Sequence, residues 1–333
     1  EAPVYNSSHM LGFFSVFNPD AIKDVKLYKG AIPASFGGRT SSVLDVRMKE
    51  GNLKEYSVDG GVGLIFSRLS VEGPIIPDKS SFVLAARRSY IDLLSRPLMD
   101  NANVGLNFYD LTLKTNYIVD GKNRLYLSGY IGSDNFKISD DAGFDWGNKA
   151  ATLRWNRIIN SKLFSNLSFA YSKYKYNLSL SSDDDNSIDW KSSISNFVLK
   201  PDFTYYINER SELTFGGEAI YYRFNPATTR GTTNGEAFDT SLENKFALET
   251  AGYVGLKQTI TPDVEVIAGL RTSFFQYLGP GTAYMYNDTV PGKRRSVVSE
   301  KVYRTNETIA SYFTPEPRAA LKYQLSDQRS FKA

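Results

Sequence analysis

The side chains available for catalysis or metal binding are few. The 333-residue sequence contains a single histidine, His9, and no cysteine, which excludes a histidine-pair metal site, a thiol nucleophile and cysteine-ligated zinc. Glycoside hydrolysis needs only a pair of carboxylates, but the spacing of the acidic residues singles out no such pair. We therefore predict that the protein is not an enzyme and that it holds no metal or cofactor.

The charged residues also indicate neither a calcium-binding loop nor a nucleic-acid-binding surface. The stretch 181–187 reads SSDDDNS, and its oxygens are of the kind that Ca²⁺ prefers, but it lacks the glycine and the distal glutamate of a calcium-binding loop. A solvated tip between two strands is the favoured interpretation of Asp183, Asp184 and Asp185. The net charge is only +3, so a nucleic-acid-binding surface is not indicated.

The elements that would position functional groups are predicted to be β-strands. Apolar and polar residues alternate along many segments, for example Leu125, Leu127 and Ile131 against Arg124 and Ser128. Period two places alternate side chains on one face. The apolar runs are much shorter than the ~20 residues of a membrane-spanning helix, so a membrane location would require strands. The 22 tyrosines and 21 phenylalanines suit the aromatic girdles of a membrane barrel, although a soluble sandwich would show the same alternation.

The connections between the strands favour the membrane barrel. Tight turns and long connections alternate along the chain: the tight turns are predicted at 77–79, 120–123, 160–162, 208–211 and 261–263, and the long connections at 91–106, 137–148, 225–244 and 279–314. Outer-membrane barrels likewise have tight turns on one rim and loops on the other. Segments 163–180 and 188–207 exceed the ~9 to 11 residues that cross a bilayer. We expect about 12 to 13 strands.

The stretch from Asn18 to Gly51 does not follow this alternating pattern. It begins with a capped, proline-containing turn, continues into a strand at 25–29, and closes with a second strand at 42–47. The residues that link these parts are Lys29, Gly30, Phe36, Gly37, Gly38 and Arg39. In this order the parts resemble the end of the plug domain of TonB-dependent outer-membrane receptors, and residues 1–17 resemble the upstream plug segment of Bacteroidetes-type members.

The resemblance implies an all-β membrane protein. Its fold would be an antiparallel transmembrane β-barrel, of about 22 strands when complete, with a small α/β plug inside the lumen. Residues 1–51 would be the C-terminal part of the plug domain, and residues 52–333 the N-terminal half of the barrel. We therefore expect the sequence to be a fragment of a longer chain.

The resemblance also implies where a substrate would bind. In such receptors the apical loops of the plug form the floor of the ligand cavity, which makes His9, Met10, Phe13 and Phe14 the candidate substrate-binding residues. They would offer one titratable ring and an apolar surface. The alternative is that both phenylalanines pack inside the plug and that His9 bonds to the backbone.

A polar interface between plug and barrel wall is expected at Arg39, Asp45, Arg47 and Arg87. A plug that shifts during transport should be held by hydrogen bonds and water, because a dry apolar interface would cost more to separate. Ordinary solvation of these side chains in the lumen is the alternative.

The implied function is active import across the bacterial outer membrane. The substrate would be a scarce nutrient (a siderophore, glycan, peptide or cobalamin), and the plug would be remodelled by TonB. The implied partners are the energising complex TonB-ExbB-ExbD, outer-membrane lipid and lipopolysaccharide, and a surface lipoprotein. An outer-membrane barrel with an adhesion or assembly role and a static plug is the alternative function.

Overall fold

A computed structural model of the chain describes residues 2–30, 32–38, 42–92, 105–139, 141–183, 185–287, 295–326 and 328–332. Arg39 of the predicted interface and Asp184 of the acidic stretch lie outside these described residues. β-Strand is the dominant structure within them. None of the described helices combines the length and the apolar character that a membrane span requires.

Residues 2–51, the amino-terminal segment, form two small hairpins. Strand β1 (Ser8–His9) pairs with β2 (Phe14–Ser15), and β3 (Ile22–Tyr28) pairs with β4 (Val43–Met48). Between the hairpins, the Asn18 side chain accepts a hydrogen bond from the Asp20 N–H at 3.0 Å and caps a 3₁₀ turn at Pro19–Ala21, as the sequence predicts.

The rest of the chain builds one large antiparallel sheet, the wall. Its strands are β5 (Ser57–Val62), β6 (Phe66–Ile76), β7 (Ser80–Ser89), β8 (Gly105–Ile118), β9 (Asn123–Lys137), β10 (Ala142–Ile158), β11 (Leu163–Asp183), β12 (Asn186–Asn208), β13 (Ser211–Thr233), β14 (Glu236–Ser241), β15 (Lys245–Thr261), β16 (Val264–Leu278), β19 (Thr308–Ser326) and β20 (Arg329–Lys332). Neighbours follow chain order, with β14 pairing only with β13. Strands β17 (Gly281–Tyr286) and β18 (Val297–Tyr303) form a separate hairpin. The meander confirms the antiparallel fold expected from the sequence.

The strands are longer than the sequence pattern predicted. Strands β12 and β13 have 23 residues each, well beyond a bilayer crossing. The predicted long connection at 137–148 is wrong, because β9 continues to Lys137 and β10 starts at Ala142. Stacked aromatic rings stabilise the longer β9–β10 hairpin: Phe136 stacks on Phe144 with ring centroids 4.8 Å apart. Most of the predicted connection at 225–244 is also strand, in β13 and β14.

The two faces of the wall have opposite character. The inner face, which contacts the amino-terminal segment, buries polar side chains such as Asp134, Asn148 and Asn196. The outer face exposes apolar side chains from strand after strand: Leu111, Leu127, Leu153, Leu167, Phe169, Leu199, Val254 and Leu270. Soluble proteins rarely expose so much contiguous apolar surface, whereas the apolar-out, polar-in arrangement is typical of a transmembrane β-barrel.

Candidate functional site

The candidate site is the interface between the amino-terminal segment and the inner face of the wall. Wall side chains donate hydrogen bonds to backbone carbonyl oxygens of the segment. The pairs are Arg87 with Ser15 (2.8 Å), Lys114 with Met48 (3.0 Å), Asn116 with Glu50 (2.6 Å), Asn148 with Asn6 (3.1 Å) and Lys200 with Ser35 (3.0 Å). Buried carbonyl groups outside regular ladders need such partners. Water can replace each of these bonds if the segment moves.

A cluster of ionisable groups surrounds His9. His9 is 1% exposed, and its Nδ1 lies 2.7 Å from Asp134 Oδ2. On the other side, Nε2 lies 3.5 Å from Asp110 Oδ2, which also accepts a 2.8 Å hydrogen bond from Arg87 Nε. The Tyr130 hydroxyl is 3.3 Å from Nε2. The only histidine of the sequence is therefore held between two carboxylates of the wall.

The turn that follows His9 is strained. Met10, Leu11 and Gly12 have φ of 51°, 59° and 111°, and the left-handed region costs a non-glycine residue roughly 1–2 kcal/mol. Asp134 holds this conformation from the wall, because its Oδ1 accepts a 2.7 Å hydrogen bond from the Met10 N–H while its Oδ2 contacts His9. The turn presents Leu11 and Phe13 to solvent, 68% and 83% exposed.

The surroundings of His9 change its acidity. Burial lowers the pKa of the imidazole, but hydrogen bonds and charge from Asp110 and Asp134 raise it more, so that the pKa lies above its ordinary value. A histidine whose pKa is higher in the folded than in the unfolded state stabilises the fold fully at pH below the unfolded pKa of about 6.5, and this contribution is lost as pH rises through the folded pKa.

We therefore expect the turn at residues 9–14 to loosen as the pH rises through the folded pKa of His9. This loosening can be measured by hydrogen exchange of peptides that cover residues 6–17, after correction for the intrinsic pH dependence of exchange. In the His9→Gln variant the corrected exchange should show no step in the same pH range. A wild-type exchange rate that is flat across the range would contradict the ion pairing described here.

A second cluster holds residues 32–38. The Arg318 Nη1 lies 3.3, 2.7 and 2.7 Å from the carbonyl oxygens of Ile32, Pro33 and Phe36, while its Nη2 donates to Glu316 at 2.6 Å. Next to it, Arg271 is 1% exposed and bonds to Glu218 at 2.6 Å. Gly37 lies against the Arg271 guanidinium so closely that a Cβ would collide with it, and a larger residue here would require the guanidinium to shift.

The predicted site residues fall in different places. His9 and Met10 are buried, Phe13 is exposed, and Phe14 packs near Phe108 with centroids 5.5 Å apart. Their role in substrate binding stays a prediction.

Of the predicted plug-motif residues, Phe36, Gly37 and Gly38 lie in or beside the second cluster, and Gly38 has the left-handed φ of +64°. Lys29 and Gly30 are exposed. Their assignment to a plug motif stays a prediction, as does that of Arg39.

Two of the predicted interface residues pair with each other. Asp45 and Arg47 form a 3.5 Å ion pair within the amino-terminal segment, whereas Arg87 joins the segment to the wall. The alternation pattern predicted no interface role for the wall residues Asp110, Asp134, Lys200, Arg271 and Arg318. The sequence feature that could have identified them is a charged side chain at a position that alternation assigns to the polar face of a strand.

A cavity separates the segment from the wall near the tight-turn rim. Its volume is about 810 Å³, and charged residues of both signs line it, among them Lys26 and Asp45 of the segment and Arg154 and Glu212 of the wall. In the described part of the chain, no group of three or more His, Asp or Glu side chains is arranged to hold a metal ion. The cavity is therefore a gap between segment and wall that is lined by both charged and apolar side chains and is large enough to hold water.

No protein-family model matches the sequence, and no curated protein matches it at a significant level. The fold is nevertheless similar to solved structures. The copper transporter OprC matches with a TM-score of 0.70 at 11% identity over 95% of this chain and 51% of its own. The ferric citrate transporter FecA matches with a TM-score of 0.67 at 12% identity, over 98% of this chain and 51% of its own. The ferric yersiniabactin uptake receptor FyuA from Yersinia pestis matches with a TM-score of 0.65 at 12% identity, over 92% of this chain and 50% of its own.

These matches define the class of fold. The solved structures are TonB-dependent receptors, and the chain shares the all-β, antiparallel fold class of these barrels. The chain spans about half the length of these structures. At 11–12% identity this likeness establishes the fold alone.

Proposed function

We propose that the chain belongs to an outer-membrane transporter that imports a scarce nutrient, with the amino-terminal segment as a plug that TonB remodels. The observation that carries the proposal is the chemistry of the interface. The wall holds the segment through side-chain donors to carbonyl oxygens and through buried ion pairs. Such bonds can be exchanged for water one at a time, whereas a dry apolar interface would have to separate as a whole.

The proposal assigns roles to the surfaces. The apolar outer face contacts outer-membrane lipid, with lipopolysaccharide at the outer leaflet. The energy comes from the inner-membrane complex TonB-ExbB-ExbD, because the outer membrane maintains no ion gradient. No covalent bond is made or broken, so the protein is not an enzyme. A surface lipoprotein is a further proposed partner.

We also propose a division of roles at the apex of the plug. Phe13 and its neighbour Leu11 are exposed and make the first contact with substrate. His9 and Met10 lie beneath them and are bound to Asp134 of the wall. A substrate that displaces Leu11 or Phe13 would therefore strain the bonds to Asp134 and weaken the hold of the wall on the plug.

A reversible cross-link between plug and wall tests the proposal. The chain contains no cysteine, so Ser35→Cys with Lys200→Cys, whose native residues are joined by a 3.0 Å bond, can be linked by a short, cleavable bifunctional thiol reagent. We expect the link to reduce uptake at least tenfold, because the plug can no longer leave the wall, and reduction should restore it. The uptake assay uses the nutrient identified by growth of a deletion mutant on defined iron and glycan sources, with and without TonB.

The matched control links two positions inside the plug. Lys26 and Asp45 face each other across β3 and β4, so Lys26→Cys with Asp45→Cys leaves the plug free to move as a unit. This variant should keep its uptake. If the plug-to-wall link leaves uptake unchanged, or if uptake persists without TonB, the plug is static and the adhesion or assembly alternative is favoured.

A further inference from the structure

The inner face of the wall changes character along the strands. Contacts with the amino-terminal segment establish which side chains point inward: Asp134 of β9 contacts His9, Asn148 of β10 contacts Asn6, and Asn196 of β12 contacts Tyr5. Towards the tight-turn rim, the inner residues include many charged side chains, among them Lys114, Arg154, Lys200, Asp202, Glu212 and Arg318. The opposite end of the same face has a different composition.

Beyond these contacts, on the side away from the tight turns, the inner face is aromatic. The strand registers place the following rings on it: Phe136, Phe144, Trp146, Tyr174, Tyr176, Trp190, Tyr222, Phe224, Phe275, Tyr277 and Tyr312. Direct contacts agree with this placement, since Tyr174 packs on Tyr5 of the plug and Phe275 on Tyr312. Leu11 and Phe13 add an apolar surface from the plug apex.

Charge is scarce among these rings. On β9 to β12, no described inner residue is charged from the plug contacts out to Leu180 and Ile188, whereas Asp183 at the tip of the β11–β12 hairpin pairs with the inner residue Asn186. On β15, Lys245 and Glu249 both have the inner parity. Lys245 lies at the end of the strand and forms a 3.9 Å ion pair with Glu243, while Glu249 accepts a 2.9 Å hydrogen bond from the Tyr222 hydroxyl. The alternating residues on the outer face of the same strands carry the charges instead, for example Lys173, Lys175 and Lys191. The low charge is thus a property of the inner face and not of this region as a whole.

This composition favours one chemical class of ligand. A charged ligand would lose hydration against the rings of β9 to β12 without gaining an ionic partner on those strands. Flat aromatic faces instead pack against the C–H faces of rings, and tyrosine hydroxyls hydrogen-bond at their edges. Ser192 of the same inner parity adds a hydroxyl group.

We propose that this aromatic vestibule binds an uncharged ligand built from hydroxylated rings, the chemistry of a neutral oligosaccharide. The inference rests on the proposed import function, because it names the substrate class of that transporter.

The test measures binding to the full-length receptor in detergent by tryptophan fluorescence. The probes are neutral hexasaccharides of glucose, mannose, xylose and N-acetylglucosamine, the cationic glucosamine hexamer, the anionic galacturonate hexamer and ferric citrate. We expect at least one neutral hexasaccharide to bind at least tenfold more tightly than every charged probe. Tighter or equal binding of a charged probe, or binding of no neutral probe, would overturn the proposal.

Paired substitutions of adjacent inner and outer residues, one pair on β11 and one pair on β12, locate the site. Tyr176→Ala and Trp190→Ala remove inner rings and should each weaken binding of the neutral probe about tenfold, which corresponds to about 1.4 kcal/mol. Lys175→Ala and Lys191→Ala alter the adjacent outer residues and should leave binding unchanged. Heat-modifiable migration of the barrel on gels verifies that each variant is folded. Equal effects of inner and outer substitutions would contradict the assignment.

The result separates this inference from the proposed function. If a charged nutrient is imported with TonB, the ligand class is wrong and the transport proposal stands. If a neutral oligosaccharide binds in the vestibule but its uptake does not depend on TonB, the ligand class stands and the transport proposal is wrong.

Discussion

Replacing Asp134 with alanine should release the turn at residues 9–14 from the wall. Both carboxylate oxygens are used, one by His9 Nδ1 and one by the Met10 N–H, each at 2.7 Å. Their loss leaves a buried imidazole without its nearest partner and a buried N–H without an acceptor. Removing one member of a buried ion pair typically costs about 3–5 kcal/mol, and the strain of the left-handed conformations of Met10 and Leu11 is then no longer offset by this carboxylate.

Hydrogen-exchange mass spectrometry of peptides covering 6–17 measures this effect. We expect exchange to accelerate by two orders of magnitude or more in Asp134→Ala, since about 1.4 kcal/mol corresponds to a factor of ten. Asp134→Asn keeps an acceptor for the Met10 N–H but not the charge, so its effect should be intermediate. Asn135→Ala changes the adjacent, exposed residue on the outer face and serves as the matched control. Unchanged exchange in Asp134→Ala would show that the wall does not hold the turn.

Replacing Arg318 with alanine should free residues 32–38. One guanidinium nitrogen approaches three carbonyl oxygens of this loop, and the other nitrogen pairs with Glu316. Hydrogen bonds to charged groups contribute about 1.5–3 kcal/mol each, so we expect the local stability of the loop to fall by about 3 kcal/mol or more. The loss also leaves the Glu316 carboxylate without its 2.6 Å partner.

Exchange and limited proteolysis of the 32–38 loop measure the loss. Arg318→Lys retains the charge but cannot spread donors over a planar fork, so it should rescue the loop only in part. Leu321→Ala, on the outer face of the same strand, should leave the loop unchanged. A loop that is equally protected in wild type and Arg318→Ala would mean that other contacts, such as Lys200 with Ser35, hold it without help.

The sequence predicted the strands and the capped turn more reliably than it predicted the contacts between strands. Period-two alternation identified the strands of the wall, and Asn18 with Pro19 identified the capped turn, because both signals depend on residues close together in the chain. The extension of β9 and β10 through the predicted loop at 137–148 was missed. That extension is stabilised by contacts between strands, here the stack of Phe136, Phe144 and Trp146, which a pattern read along one strand does not contain.

By itself, the sequence determined that the chain forms long antiparallel strands with one apolar and one polar face, that it lacks thiol and multi-histidine chemistry, and that residues 18–51 are distinct from the rest. Only the tertiary structure decided which polar residues meet. His9 and Asp134 are 125 positions apart, and Arg318 lies 282 positions from Phe36. Alternation assigns a side chain to a face, but the register of every intervening strand pair decides which distant side chain lies opposite it.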